Sequence, residues 1–276
     1  MKKAIFSGIV LILALLSGCA WGDALYTQPS IQETTGETIG VTADSKATEP
    51  TVTESMVTEP TVTAPTEPEH SALYIPTVSV EEVVRYFNEV CLNAEIVNAG
   101  DPTKLQRWET PIQYFCDGAS TNQDKQVLDG FVAWLNTVEG FPGIKQTQDP
   151  DAANLRIYFR EQAEYLDVMG SGFAGTDGGV TFWYNGANEI THGVIGYRTD
   201  IDQYVRNSVL LEEIYNGLGP INDTQLRNLS VIFAGYSTPQ SLSEVDKLIL
   251  KLLYHPQMQC GMNGAQCEAI IRQLYY

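Results

Sequence analysis

The chain has 276 residues, 34 of them acidic and 16 basic, for a formal net charge of −18 at pH 7. So acidic a protein is a poor ligand for nucleic acid or an anionic membrane surface, and both are set aside as electrostatic partners. Hydrophobic residues make up 43% of the chain, enough for a sizeable core.

Lys2 and Lys3 precede an apolar run from Ala4 to Leu16, which is followed by Leu16-Ser17-Gly18-Cys19. The run is too short to span a membrane and has the layout of an export signal. Leu-Ser-Gly-Cys resembles a bacterial lipobox. Residues 1–18 are therefore expected to be a lipoprotein signal peptide, with Cys19 lipidated as the mature N-terminus. The protein would then be exported and anchored to the cell membrane by its N-terminal lipid, its domain extracytoplasmic; two or more acyl chains suffice for stable anchoring.

Residues 19–70 are rich in Thr, Glu and Pro. Thr48-Glu49-Pro50-Thr51-Val52-Thr53 recurs as Thr58-Glu59-Pro60-Thr61-Val62-Thr63, and Thr66-Glu67-Pro68 begins the repeat again. Such a segment cannot bury enough apolar surface to offset its ordering entropy, so a disordered tether is expected. As a coil it would span on the order of 40 Å, more if acidic repulsion extends it.

Residues 71–276 suffice for one domain. Ser79-Val80-Glu81-Glu82 forms a capping box, and Val83, Phe87, Val90 and Cys91 line one face of the helix it opens. Pro111 to Cys116 reads as a strand, and a helix near 122–138 follows, ended by Gly140 and Pro142. Leu155, Ile157 and Phe159 alternate with polar or amphipathic neighbours as in a half-buried strand. Gly170 to Gly179 holds five glycines and reads as a mobile loop. Val180 to Tyr184 and Ile190 to Tyr197 are strands expected to pair. Helices follow near 202–218, 243–254 and 264–275, the last two capped by Ser243 with Asp246 and by Asn263 with Gln266. The order is that of an α+β fold, one sheet backed by helices.

Apart from Cys19 there are four cysteines, Cys91, Cys116, Cys260 and Cys267. An even count in an exported chain points to two disulfides. Of the three possible pairings, Cys91–Cys116 with Cys260–Cys267 closes the shortest loops; four unbonded thiols are the alternative.

The helix at 202–218 carries the chemistry. Leu210-Leu211-Glu212-Glu213-Ile214-Tyr215-Asn216-Gly217-Leu218-Gly219 has the frame of His-Glu-x-x-His-x-x-Gly, the zinc-peptidase motif. Glu212 and Asn216 stand where the two His would be, Glu213 keeps the general-base position and Gly219 the turn. The helix is apolar on two sides, with Val205, Val209, Glu212 and Asn216 in one stripe, so Glu212 and Asn216 are expected to be shielded. A buried carboxylate requires a partner: an Arg or backbone amide, or else a metal or substrate amine.

With Trp108-Glu109-Thr110-Pro111-Ile112, Asn154-Leu155-Arg156-Ile157, Arg206, Asn222-Asp223, Ser230-Val231-Ile232-Phe233 and Leu252-Leu253-Tyr254-His255-Pro256, this helix resembles the bacterial family called domain of unknown function 2927. The resemblance covers about residues 105–265. It implies a zincin-like fold: a mixed sheet with a backing helix and a motif helix, followed by a helical C-terminal part. Asn216 stands where the family pattern has Gln. The resemblance transfers a fold and no reaction.

Two functions follow as expectations. The first is a non-catalytic pseudo-peptidase that binds a peptide, wall fragment or cell-envelope protein through Glu212, Asn216, Arg206, Asn222 and Asp223. The alternative is a peptidase-like hydrolase using Glu213 as general base with an atypical metal site, to which His192 or His255 could add a ligand. No cofactor is expected, zinc least of all. If a metal were held, Glu212, Asn216 and Asp223 would hold it, and their oxygens favour Ca²⁺, Mg²⁺ or Mn²⁺.

Overall fold

The computed structural model describes residues 8–13, 71–92, 104–235 and 237–276. Cys19 and the expected tether at 19–70 lie outside the described residues.

A seven-stranded mixed sheet forms the centre, with strands β1 (Gly8–Leu13), β2 (Arg107–Trp108), β3 (Ile112–Gly118), β4 (Ile144–Gln146), β5 (Leu155–Arg160), β6 (Gly178–Tyr184) and β7 (Glu189–Arg198). The order across the sheet is β1-β6-β7-β5-β3-β4, with β2 pairing the start of β7. Strands β7, β5, β3 and β4 are parallel, whereas β6 runs antiparallel to β7 and β1 antiparallel to β6. The Gly8–Leu13 run, read from sequence as the core of a leader, thus supplies an edge strand in register from Gly8 opposite Tyr184 to Leu13 opposite Gly179.

Among the described residues there are six α-helices: α1 (Val80–Leu92), α2 (Asn122–Leu135), α3 (Gln162–Met169), α4 (Gln203–Asn216), α5 (Glu244–Leu253) and α6 (Gly264–Leu274). Their starts are dictated locally. Ser79 and Glu82 satisfy each other's backbone N–H groups at the head of α1, and Ser243 with Asp246 and Asn263 with Gln266 do so for α5 and α6. Thr121 with Asp124 forms a further capping box on α2. The mixed sheet with its helices is the α+β plan expected from sequence.

Two adjacent glycines show how the sheet is sandwiched. A Cβ on Gly178 would lie 2.4 Å from Val209 Cγ1 of α4, while one on Gly179 would lie 2.3 Å from Phe173. Successive strand residues face opposite sides, so α4 covers one face of β6 and the Phe173 turn covers the other. Helix α3 shares that second face, since a Cβ on Gly196 of β7 would meet Met169 and Tyr165. The glycine run read as a mobile loop is therefore partly built into the fold. Phe173 is buried, Thr176 bonds the Tyr165 hydroxyl at 2.7 Å, and Gly178 and Gly179 belong to β6. These glycines are required by close approach rather than by flexibility.

The expected pairings Cys91–Cys116 and Cys260–Cys267 are not formed; all four side chains are thiols. The reason is placement. Cys116 lies on β3, lining a cavity with Lys125 and Asp129. Cys260 sits before α6 with its sulfur 3.6 Å from Arg107 O and Glu109 Oε1. Cys91 and Cys267 are both fully enclosed on α1 and α6.

Candidate functional site

Helix α4 begins at Asp202, whose carboxylate accepts the Tyr204 N–H at 2.8 Å. From Arg206 to Asn216 every residue is buried, because α4 lies between the sheet on one side and α2 on another. Its C-terminal carbonyls are satisfied by side chains of other elements: Trp108 Nε1 donates to Gly217 O at 2.8 Å and the Tyr254 hydroxyl to Leu218 O at 2.7 Å. Gly219 then turns the chain with φ of +128°, and a Cβ there would lie 2.6 Å from Gln106 O. The turn read from the motif frame is thus present, for the steric reason that only glycine satisfies.

Glu213 is fully buried. Its carboxylate lies beneath β6, 2.8 Å from where a Gly178 Cβ would stand. Two buried phenols lie near this carboxyl. Burial chiefly, and Glu213 next, push the Tyr165 and Tyr197 hydroxyls above the ordinary phenol range. Tyr197 donates to Leu210 O at 2.8 Å, which locks it against α4. A general base needs a water or substrate proton within hydrogen-bond reach, and the enclosure of Glu213 under Gly178 and Val209 blocks that approach.

Glu212 is 7% exposed, and Asn216, one turn on, is fully buried. Neither atom of the Asn216 amide has a hydrogen-bond partner among the described residues. The shielding read from the stripe is observed.

Arg206, expected at the ligand site, serves the scaffold instead. Its guanidinium pairs closely with the fully buried Asp124 of α2 and also donates to Thr199 O at 3.3 Å and Ala119 O at 3.2 Å. Asp124 further accepts from Gln203 Nε2 at 2.8 Å and from the Thr121 N–H at 2.7 Å. Asn222 and Asp223 follow the Gly219 turn and belong to the end of α1: the Ile221 and Asn222 N–H groups donate to Val90 O at 2.6 and 3.2 Å. The Asn222 side chain donates to the Asp223 carbonyl at 2.8 Å. Arg206, Glu213 and the Asn222–Asp223 pair are therefore distributed between the α2–α4 seam, the underside of β6 and the end of α1. Among the described residues no group of three His, Cys, Asp or Glu is arranged to hold a metal ion.

The histidines lie elsewhere. His192 stacks on Trp183 with ring centroids 4.4 Å apart. Both rings project from the sheet face that carries α3, opposite α4, since they alternate with Phe182 and Gly193 along their strands. His255 follows α5, and its Nδ1 accepts the Gln257 N–H at 3.2 Å.

Sequence reasoning singled out Ser230 and Asp246 but not the buried triad they form with Tyr86. The Tyr86 hydroxyl donates to Ser230 Oγ at 2.7 Å, and Ser230 donates to Asp246 Oδ1 at 2.6 Å. Asp246 also accepts the Ser243 N–H at 2.8 Å. Desolvation raises its carboxyl above the usual range despite these bonds. The capping-box spacing of Ser243 and Asp246 was the available signal. The remainder joins α1, the 230s turn and α5, which no local pattern reveals.

A family model described as "Protein of unknown function (DUF2927)" matches residues 80–273, well over half of the chain. No curated protein matches it. The chain belongs to the DUF2927 family.

Proposed function

We propose that this DUF2927 member is a lipid-anchored extracytoplasmic binding module that captures an extended apolar peptide by adding it as a strand to the outer edge of β6. The observation that carries this reading is the seat of Gly8–Leu13, six residues paired antiparallel along β6 without a break in register. Export processing would remove that segment and leave β6 as an edge strand with unpaired backbone groups. Such an edge takes an extended peptide through its backbone ladder, with alternate side chains setting specificity.

The enclosure of Glu213 favours binding over hydrolysis. It leaves Glu213 as a structural contact between α4 and β6 and removes the access a general base requires. The lipobox at Cys19 and the Thr/Glu/Pro tether would hold the module near, but off, the lipid surface.

The test is hydrogen exchange on the chain lacking residues 1–18, with a synthetic peptide of residues 8–13 flanked by lysines. Slowed exchange confined to β6 is the expected result. Unchanged exchange at saturating peptide would reject strand addition. Cleavage of the peptide that disappears in Glu213→Gln would replace the binding reading with the hydrolase.

A further inference from the structure

Helices α1 and α6 lie antiparallel. Arg272, near the end of α6, places Nη1 3.0 Å from Glu81 Oε1 in the first turn of α1. At the other end, a Cβ on Gly264 would lie 3.4 Å from Asn88 Oδ1 and 3.6 Å from Leu92 Cδ1. Cys91 stands three residues after Asn88, and Cys267 three after Gly264, so each shares the face of its contacting neighbour. Helical side chains lean toward their own N-terminus. Cys91 therefore leans back toward Asn88 and Cys267 back toward Gly264, the two residues already in contact. In an antiparallel pair these tilts converge, and both thiols are fully buried in the seam.

We propose that Cys91 and Cys267 form a disulfide that ties α1 to α6 when the chain folds in an oxidising compartment. It would join the first and last helices of the domain and so constrain nearly the whole folded chain. The other thiols are occupied elsewhere, Cys116 beside Lys125 and Asp129 and Cys260 against Arg107 O and Glu109.

The chemistry is thiol–disulfide exchange. One cysteine loses its proton and attacks a sulfur of a small-molecule or protein disulfide, releasing one thiolate of that reagent. The second cysteine, as thiolate, then displaces the remaining sulfur. The cysteines lose two electrons and two protons, and the reagent leaves as two thiols. Burial pushes the Cys91 thiol well above its ordinary value and that of Cys267 to about 11. Thiolate is thus scarce once the seam has closed, and the bond forms while α6 docks rather than afterwards.

The test is refolding of the full chain, reduced and unfolded, in a mixture of reduced and oxidised glutathione. The product is alkylated in denaturant without reductant, digested and mapped by mass. The expected result is one linked peptide pair containing Cys91 and Cys267, with Cys116 and Cys260 alkylated. Alkylation of both Cys91 and Cys267, or linkage of either to Cys19, Cys116 or Cys260, would overturn the proposal. In Cys91→Ala, Cys267 should be recovered fully alkylated, and a Cys267 still linked to another cysteine would also overturn it. The wild-type map requires no variant to fold, and it reads the pairing independently of whether β6 binds peptide.

Discussion

A buried amide with neither its donor nor its acceptor bonded costs about 1–3 kcal/mol relative to a satisfied one. Asn216 is in that position: fully enclosed, with both amide atoms lacking a hydrogen-bond partner among the described residues. Leucine has nearly the same shape and no such requirement. Asn216→Leu is therefore expected to raise the free energy of unfolding by ~1 kcal/mol, read as a higher urea midpoint at unchanged slope. A loss of similar size would show that the amide is partnered in solution. The position of Asn216 was legible, since the peptidase frame places it one turn beyond Glu212, and so was its shielding. Its unsatisfied amide was not legible, because that depends on what α4 packs against. Gly219 and Gly178 make the same contrast. The motif frame made Gly219 readable as a turn. Gly178 passed for loop, because glycine composition alone cannot separate a mobile segment from a strand pressed against Val209 and Glu213.

At the level of elements, α2 and α4 are joined by the Asp124–Arg206 pair, whose members are 0% and 5% exposed at the side chain. Two charges removed from water in this way contribute little over a well-packed apolar pair, but removing one partner strands the other. Asp124→Leu is expected to cost roughly 3–5 kcal/mol, and Arg206→Met a similar amount. The double variant Asp124→Leu/Arg206→Met should fall well short of the sum, giving a coupling of about 1–3 kcal/mol in a denaturation cycle. Additive losses would mean that the two side chains act independently. Helices α1, α2, α4, α5 and α6 were visible in the sequence, by the apolar periods of α2 and α4 and the caps of α1, α5 and α6, whereas α3 was not read. The pair was not, because it joins residues 82 positions apart. Arg206 resembled a ligand-binding residue because it lies on the motif helix, whereas Asp124 claims it from the neighbouring one. Strand β6 was likewise readable as a strand, but its place as the antiparallel partner of Gly8–Leu13 was hidden by the export-signal pattern of that segment.

The whole molecule is asymmetric in how pH should act on it. On the acid side two sets of carboxyls oppose each other. Hydrogen bonds from Arg272, Arg198 and Lys247 hold Glu81, Asp200 and Glu244 below their ordinary values, so the stability they lend is lost as pH falls. Burial raises Asp177 and Asp246, so the folded state binds their protons more readily and gains as pH falls. On the alkaline side the buried acids act together. Burial holds Cys116 and Cys267 up to about 11, and Cys260 and Tyr114 up to about 12, from ordinary values of 9.0 for thiols and 10.0 for phenols. Between those limits the unfolded chain has released protons that the folded chain retains. Stability must therefore fall as pH rises from about 9 toward 12. Reduced protein is expected to show a lower urea midpoint at about pH 11 than at about pH 8, while its acid limb stays shallow. A Cys91–Cys267 disulfide would withdraw both of those thiols from the titration, leaving Cys116, Cys260 and the tyrosines to carry the alkaline limb. Oxidised protein should then lose less stability between the two pH values than reduced protein does. Equal losses would mean that the buried seam between α1 and α6 contributes nothing to the alkaline response.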